Sequence, residues 1–455
     1  MTLFDLLRQN INLSYKDAES SRHFTLRDLD IKSFDHEESK KLAFLYVDNS
    51  SNSIAVVLKF FDSQHAIALL DPKLNGKFKV QLEQTYKPFY IYDFTRTTIE
   101  EYKNTPFIFD TNLFENNRVT STSINPNLKL LLSTSGTTGS PKFVKLSEDN
   151  IIANARSITK YLPITKEDIV PLNLPIFYSY GFSVLTSNSL IAENIICTNK
   201  DVLNKEFWND FEEFGYSTLA GVPYVYDMLN RIGFLKKNYP SLRYMTQAGG
   251  KLSPKLVSEF GSYLNSKQKK FYVMYGQTEA TARMAYLPLN HLDKSNSIGI
   301  PIPDGSFSID EETKELIYYG PNIFGGYAEN LDDLSKFQQN NSLHTGDIAE
   351  VDSDGLYYIT GRLKRFAKIF GVRTNLDEIE SLLNSEFSDT SFYVISQNDE
   401  KLCIFSYQSS IDANLIKTYL KDRINIHPSC IQIKYINELP LTSNGKIDYK
   451  ILSSL

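Results

Sequence analysis

Three observations on the 455-residue chain predict an α/β fold, with a large N-terminal domain of layered α/β subdomains and a small α+β C-terminal domain. Short apolar strand patterns alternate with helical ones through the first part of the chain. Near Ile348 that pattern changes to a hairpin, followed by about 90 residues with helix and strand patterns of their own. Glycine is sparse and then concentrated: Gly76 stands alone in the first 135 residues, nineteen fall between Gly136 and Gly371, and Gly445 is the last. That distribution suggests backbone-critical loops rather than flexible filler.

In chain order, Ala43–Val47 and His65–Leu70 read as buried strands with a helical stretch near Ser53–Phe61 between them, and Asp71-Pro72 stops the second strand. Lys77–Tyr86 reads as a helix and Phe89–Tyr92 as a strand, most simply parts of a largely parallel sheet covered by helices. Leu128–Leu132 and Phe143–Leu146 are strands on either side of a glycine loop. Ser147 is placed to cap a helix with apolar positions Ile151, Ile152, Ala155 and Ile158. Ile348–Val351 and Leu356–Thr360 flank Asp352-Ser353-Asp354-Gly355, a hairpin signal. A boundary near Leu363-Lys364 gives domains 1–362 and 363–455. The second carries 11 basic and 11 acidic residues, so the acidic excess lies in the first.

Composition excludes several classes. Hydrophobic residues make up 42% and charged residues 22%, as in a folded globular protein. A net charge of 48 − 54 = −6, with no basic run longer than two residues, argues against a nucleic-acid binder. Cys197, Cys403 and Cys430 offer neither a disulfide framework nor zinc-ligand spacing, which suggests a reducing compartment. The first residues lack the basic and apolar regions of a secretory signal. The most apolar run, Ile54–Phe61, is too short to span a bilayer. The expected location is cytoplasmic, with no membrane span.

The strongest local signal is Ser133-Thr134-Ser135-Gly136-Thr137-Thr138-Gly139-Ser140-Pro141-Lys142. Two glycines let backbone N–H groups turn toward an anion, six hydroxyls add donors, and a lysine adds positive charge, a composition suited to cradling phosphate. Its spacing is neither Gly-x-x-x-x-Gly-Lys-[Ser/Thr] nor Gly-x-Gly-x-x-Gly. The chain contains no Gly-x-Ser-x-Gly, which weakens a serine-hydrolase reading.

The loop resembles the phosphate loop of the adenylate-forming superfamily, which includes acyl-CoA synthetases, nonribosomal-peptide adenylation domains and luciferase. Further landmarks recur in family order up to residue 450, and only about the first 125 residues carry none. The resemblance implies that Thr134, Ser135, Gly136, Thr137, Thr138, Gly139 and Lys142 bind phosphate. Tyr275-Gly276-Gln277-Thr278-Glu279 resembles the family's Tyr-Gly-x-Thr-Glu, implying that Tyr275 stacks on adenine, Thr278 binds the α-phosphate and Glu279 holds Mg²⁺. Gln247-Ala248-Gly249-Gly250-Lys251 occupies the adenine-pocket segment, and Gly249, Gly250 and Lys251 count with it. Asp347, in His344-Thr345-Gly346-Asp347, is implied at the ribose hydroxyls, and Arg362 at ribose and phosphate. Gly320–Tyr327 resembles a landmark to which no catalytic role is given. In Leu439–Asp448, Lys446 is implied as the cation that neutralises charge when a carboxylate attacks ATP. Lys364 fits the hinge of a mobile lid, and Lys368 and Gly371 fit the loop that serves the second half-reaction after the lid rotates.

The resemblance implies two half-reactions: acyl-adenylate and pyrophosphate from acid and MgATP, then transfer to a thiol, either coenzyme A or the phosphopantetheine of a carrier protein. Leu174–Gly181 resembles the segment bordering the acid pocket, with Tyr178 in place of a frequent histidine. Phe143 replaces a usual glycine, and Glu148 replaces a frequent histidine. Tyr178, Tyr180, Gly181, Gly221 and Ala280 are the candidate pocket residues. Residues 174–189 contain no Asp or Glu to hold an ammonium, which favours an acyl or aryl acid over a free amino acid. In a chain with 13% aromatics these rings equally suit an ordinary core. An amino-acid adenylation enzyme loading a carrier and a catalytically inactive nucleotide-binding homologue are the alternatives.

Overall fold

The computed structural model describes all residues except 31–38, 117, 119–122, 134–141, 364, 370–371, 388–389, 398–400, 408–410, 425 and 443–445; at 366, 368–369, 372–375 and 424 it describes the backbone alone. Contacts divide the chain into two compact units, one of 1–306 with 318–343, the other of 307–317 with 344–455. The residue pair 362/363 lies inside the second unit, because the strand Tyr357–Arg362 packs against the helix Leu376–Glu386 on its C-terminal side.

Among the described residues the first unit is built on three sheets. The largest is parallel only through four central strands, Leu130–Ser133, Ala66–Leu70, Leu42–Tyr46 and Tyr90–Asp93. Its flanks are antiparallel, which corrects the expectation of a largely parallel sheet. Leu130–Ser133 pairs with Phe143–Leu146 in antiparallel register, Leu130 opposite Leu146 and Ser133 opposite Phe143. The central strands are mostly apolar, with Ser133 and Asp93 as polar ends, because both faces are covered. Ser147 caps the helix Glu148–Tyr161, its hydroxyl accepting from the Asn150 N–H while the Asn150 side chain accepts from the Ser147 N–H.

A second sheet begins with the parallel strands Thr218–Gly221, Tyr244–Gln247 and Lys270–Tyr275. Phe207, Phe211, Tyr226, Phe234, Phe260 and Phe271 form an aromatic-rich core against it. In the second unit, Ser391–Gln397, Lys401–Tyr407 and Ile431–Ile436 form a three-stranded sheet packed on Leu376–Glu386 through Ile379, Leu383, Phe392, Val394 and Ile404. Cys197, Cys403 and Cys430 are buried and unbridged. Among the described residues no helix is long and apolar enough to cross a membrane.

Candidate functional site

Strand register sets the geometry of the site in the first unit. Gly221 stands opposite Gln247, and Gln247 opposite Val273, so three parallel strands end along one edge. The residues at and just beyond those ends include Gly249, Gly250 and Tyr275 through Glu279, placed where ligands bind in open α/β sheets. Gly249 needs to be glycine because its φ is +88°. The turn it belongs to is braced by the buried Gln247, whose Nε2 donates to the Gly250 carbonyl at 2.9 Å. Lys251 comes next, on the surface.

Gly276 is required for a different reason. A β-carbon there would lie 1.7 Å from the Ala282 carbonyl oxygen. The chain therefore folds back tightly over Thr278–Ala280, and Thr281 and Ala282 take φ of +61° and +139°. A β-branched residue at positive φ persists only when its surroundings hold it. Here the Thr281 hydroxyl donates to the Asn322 carbonyl at 2.7 Å, and Asn322 Nδ2 donates to the Ala280 and Arg283 carbonyls at 2.7 and 3.0 Å. This explains locally why the 320–327 segment accompanies the Thr-Glu pair: Asn322 clamps the turn. Ala280 itself is buried.

The clamp aims Thr278 and Glu279 at different neighbours. Thr278 Oγ1 lies 3.2 Å from Ser179 Oγ, at the first residue of the helix Ser179–Ser189. Glu279 Oε1 accepts from the Tyr327 hydroxyl at 2.9 Å. Burial, and next the Glu279 carboxylate, push the Tyr327 hydroxyl well above the ordinary tyrosine range, so it stays a donor to that carboxylate. Lys142 Nζ sits 3.7 Å from the centroid of the Tyr327 ring. Tyr327 thus joins the residue that ends the glycine loop to the Thr-Glu turn. Sequence reasoning missed this link, although the aromatic at the end of Gly320–Tyr327 was its one available signal. Thr134, Ser135, Gly136, Thr137, Thr138 and Gly139 lie outside the described residues, as do Lys364, Gly371 and Gly445. Gln277 Nε2 is 3.4 Å from the half-buried Tyr275 hydroxyl.

The candidate pocket residues differ in their surroundings. Tyr178 precedes the helix, its ring 4.6 Å from that of Phe177. Tyr180 is buried, with its hydroxyl held between the Thr246 carbonyl at 2.9 Å and the Thr246 hydroxyl at 3.0 Å. Gly181 packs beneath the Pro175 carbonyl, and Gly221 beneath the Tyr226 ring. The departures at Phe143 and Glu148 have structural uses. Phe143 packs edge-on against Tyr86, centroids 5.1 Å apart, and Glu148 Oε1 accepts from the Leu3 N–H at 2.7 Å.

In the second unit, Asp347 and Arg362 pair across the strands Leu343–Val351 and Tyr357–Arg362, with Arg362 Nε donating to Asp347 Oδ1 at 3.0 Å. Lys368 lies in the strand Phe366–Ile369, opposite Arg373. Lys446 is exposed beside the Leu441–Ile447 bridge, and the Thr442 N–H donates to its carbonyl at 2.7 Å. The helix Tyr449–Ser454 follows, and Tyr449 stacks under the Arg365 guanidinium at 4.1 Å while its hydroxyl donates to Glu380 at 3.0 Å. Burial raises the Glu380 carboxyl, and Arg365 pulls it back.

Among the described residues no three His, Cys, Asp or Glu side chains gather as a metal cage. A single carboxylate beside a phosphate-binding segment nonetheless suits Mg²⁺, which takes one or two carboxylates and completes its shell with phosphate oxygens and water. Glu279 has that chemistry.

Strand-end polar residues beside a hairpin that carries a glycine loop are the arrangement of an α/β nucleotide-binding protein. The chain belongs to the AMP-binding enzyme family, whose model matches residues 42–328. It is 24% identical over 345 residues to the oxalate–CoA ligase of Arabidopsis thaliana, a match covering 71% of this chain and 66% of that protein. It is 26% identical to the D-alanine–D-alanyl carrier protein ligase of Lacticaseibacillus rhamnosus, covering 71% and 70%. The matched region thus spans just under two thirds of the oxalate–CoA ligase's length. The o-succinylbenzoate CoA synthetase of Bacillus subtilis has the same fold. Solved with its acyl-adenylate intermediate, it superposes with a TM-score of 0.76 at 18% identity, covering 98% of this chain and 97% of that one. Solved with ATP and a magnesium ion, it superposes with a TM-score of 0.75 at 18% identity, covering 98% and 99%.

Proposed function

We propose that this protein is an AMP-forming carboxylic acid ligase, and that it works in the cytoplasm. The observation that carries this reading is the connected set Lys142, Tyr327, Glu279, Thr278 and Ser179, gathered where a parallel strand ends. A hydroxyl and a carboxylate on adjacent residues, with a lysine at the end of a glycine-rich hairpin loop, are the groups that a triphosphate and its metal require. Family membership and the names of its relatives, ligases that join acids to thiols, support the same reading.

The acid carboxylate attacks the α-phosphorus of ATP, giving an acyl-adenylate and pyrophosphate. Glu279 would hold the Mg²⁺ that neutralises phosphate charge. Thr278 donates to the α-phosphate, and Lys446 offsets the charge that grows as the two anions meet. Asp347 accepts from ribose hydroxyls, and Tyr275 offers a ring face to adenine. A thiol, from coenzyme A or from a carrier protein's phosphopantetheine, then displaces AMP to give the thioester, with Lys368 serving this second step.

Pyrophosphate exchange tests the reading. Enzyme, MgATP, labelled pyrophosphate and a broad panel of carboxylic acids should yield acid-dependent label in ATP. Exchange with none of the acids overturns it, and exchange confined to amino acids would replace it with the amino-acid adenylation reading.

A further inference from the structure

Arg283 carries a buried cation with no acidic partner. The residue is 1% exposed, and among the described residues no carboxylate lies within ion-pair distance. Its Nη2 donates to Ser183 Oγ at 3.0 Å, its Nη1 turns to the Met274 sulfur, and its plane covers the Tyr180 ring at 4.3 Å. Nε has no hydrogen-bond partner. The Tyr161 hydroxyl lies beside it as well. A thioether, two hydroxyls and a ring face are weak company for a guanidinium, whose fixed fork of donors matches a carboxylate. Buried ions are ordinarily paired, because desolvation is costly.

The arginine is held in place rather than left loose. Its carbonyl accepts from Asn154 Nδ2 and Asn322 Nδ2, both at 3.0 Å, and Asn322 is the clamp on the Thr278–Ala280 turn. Its side chain reaches the helix Ser179–Ser189 at Ser183, four residues beyond Ser179. Four helical residues rise about 6 Å, and Ser179 is the residue in contact with Thr278. The guanidinium therefore stands about one helical turn from the atom expected to hold the α-phosphate.

From this geometry we propose that Arg283 recognises a second anionic group on the substrate, and that the substrate class is the short dicarboxylic acids. This rests on the ligase reading and deepens it. With one carboxylate activated beside Thr278, the other pairs with the guanidinium and supplies the counter-ion that is absent among the described residues. Carboxyl carbons of three- to five-carbon diacids are about 2.5–5 Å apart, so a hydrogen bond at either end spans the interval. A purely structural Arg283, satisfied by Ser183, Met274, Tyr161 and the Tyr180 ring, makes no such demand on the substrate.

The test pairs acids of equal length: malonate with propionate, succinate with butyrate, glutarate with pentanoate, each assayed by pyrophosphate exchange. The diacid of at least one pair should exceed its partner in kcat/KM by about 100-fold or more, since a site built around a buried polar group rejects the analogue lacking its partner. Arg283→Lys should keep the preference with a raised KM for the acid, and Arg283→Met should remove it. Equal or reversed preference in the wild-type enzyme overturns the proposal, as does an unchanged ratio in a folded Arg283→Met. Should Arg283→Met not fold, the wild-type panel and Arg283→Lys decide. Exchange with no acid at all fells the ligase reading instead. Calorimetric titration of the wild type and Arg283→Lys with the same diacids then judges the arginine separately, and absence of diacid binding overturns it.

Discussion

Asp347 and Arg362 stand directly opposite each other on an antiparallel hairpin, joined by an Arg362 Nε to Asp347 Oδ1 hydrogen bond of 3.0 Å. Asp347 is 3% exposed, whereas Arg362 projects into solvent. A β-bulge between Ile348 and Ala349 shifts the register, and Gly346, inside the strand Leu343–Val351, takes φ +72° just before Asp347. Two landmarks fifteen residues apart are thus one structural object.

Asp347→Asn should raise KM for ATP by about 10- to 100-fold, the range expected when a hydrogen bond to a charged group is lost. The hairpin should survive, because asparagine can still accept from Arg362. An ATP titration of pyrophosphate exchange, alongside a melting curve, makes the measurement. An unchanged KM removes Asp347 from the nucleotide site.

Glu279→Gln should raise the Mg²⁺ concentration for half-maximal exchange by about tenfold or more, since a neutral amide is a poorer ligand for a hard cation. Tyr327→Phe keeps the carboxylate and loses only its 2.9 Å hydrogen bond, so its Mg²⁺ requirement should stay near that of the wild type. Equal Mg²⁺ titrations for Glu279→Gln and the wild type would falsify the metal role.

Lys446→Ala should slow adenylate formation by at least about 100-fold, the scale of one lost transition-state charge contact. It should still convert supplied acyl-adenylate and thiol to thioester, which single-turnover assays of each step would separate. Equal losses in both steps contradict the division of labour between Lys446 and Lys368.

His65 makes stability depend on pH. Burial first, then the charges of Lys129, Lys40 and Lys41, lower its pKa to about 4. The unfolded chain binds the proton near pH 6.5, so its contribution is fully present above pH 6.5 and is lost as pH falls toward 4. The scale is about 3 kcal/mol. His65→Asn should flatten the dependence of denaturant midpoint on pH across that window. A slope equal to the wild type's would show that other groups set the acid limit.

Gly276→Ala should destabilise the first unit by at least about 2 kcal/mol, because its β-carbon meets backbone that cannot swing aside. Gly250→Ala meets only the edge of Pro223, at 3.2 Å, and should be milder. Comparable melting temperatures for the two variants would rule out the close-approach explanation.

Much of this could be read from the chain. The helix expected near Ser53–Phe61 runs Ser51–Phe61, the one expected at Lys77–Tyr86 runs Gly76–Tyr86, and Ser147 caps its helix as anticipated. Local periodicity and capping chemistry suffice for such elements, since they depend on neighbours in sequence. The strand expected at Ile348–Val351 runs Leu343–Val351 instead. Its extra residues carry the polar Thr345-Gly346-Asp347, which no apolar alternation marks.

Residue types and their spacing determined the family, the Thr278–Glu279 pair and Lys446 as candidates for chemistry. Tertiary structure decided what those residues touch: Asn322 on the carbonyls around Thr281, Tyr327 between Lys142 and Glu279, and Arg283 buried with no acid beside it among the described residues. Each of these contacts joins segments brought together only by packing. Whether a cation is paired is a property of its surroundings, which pattern along a chain does not carry.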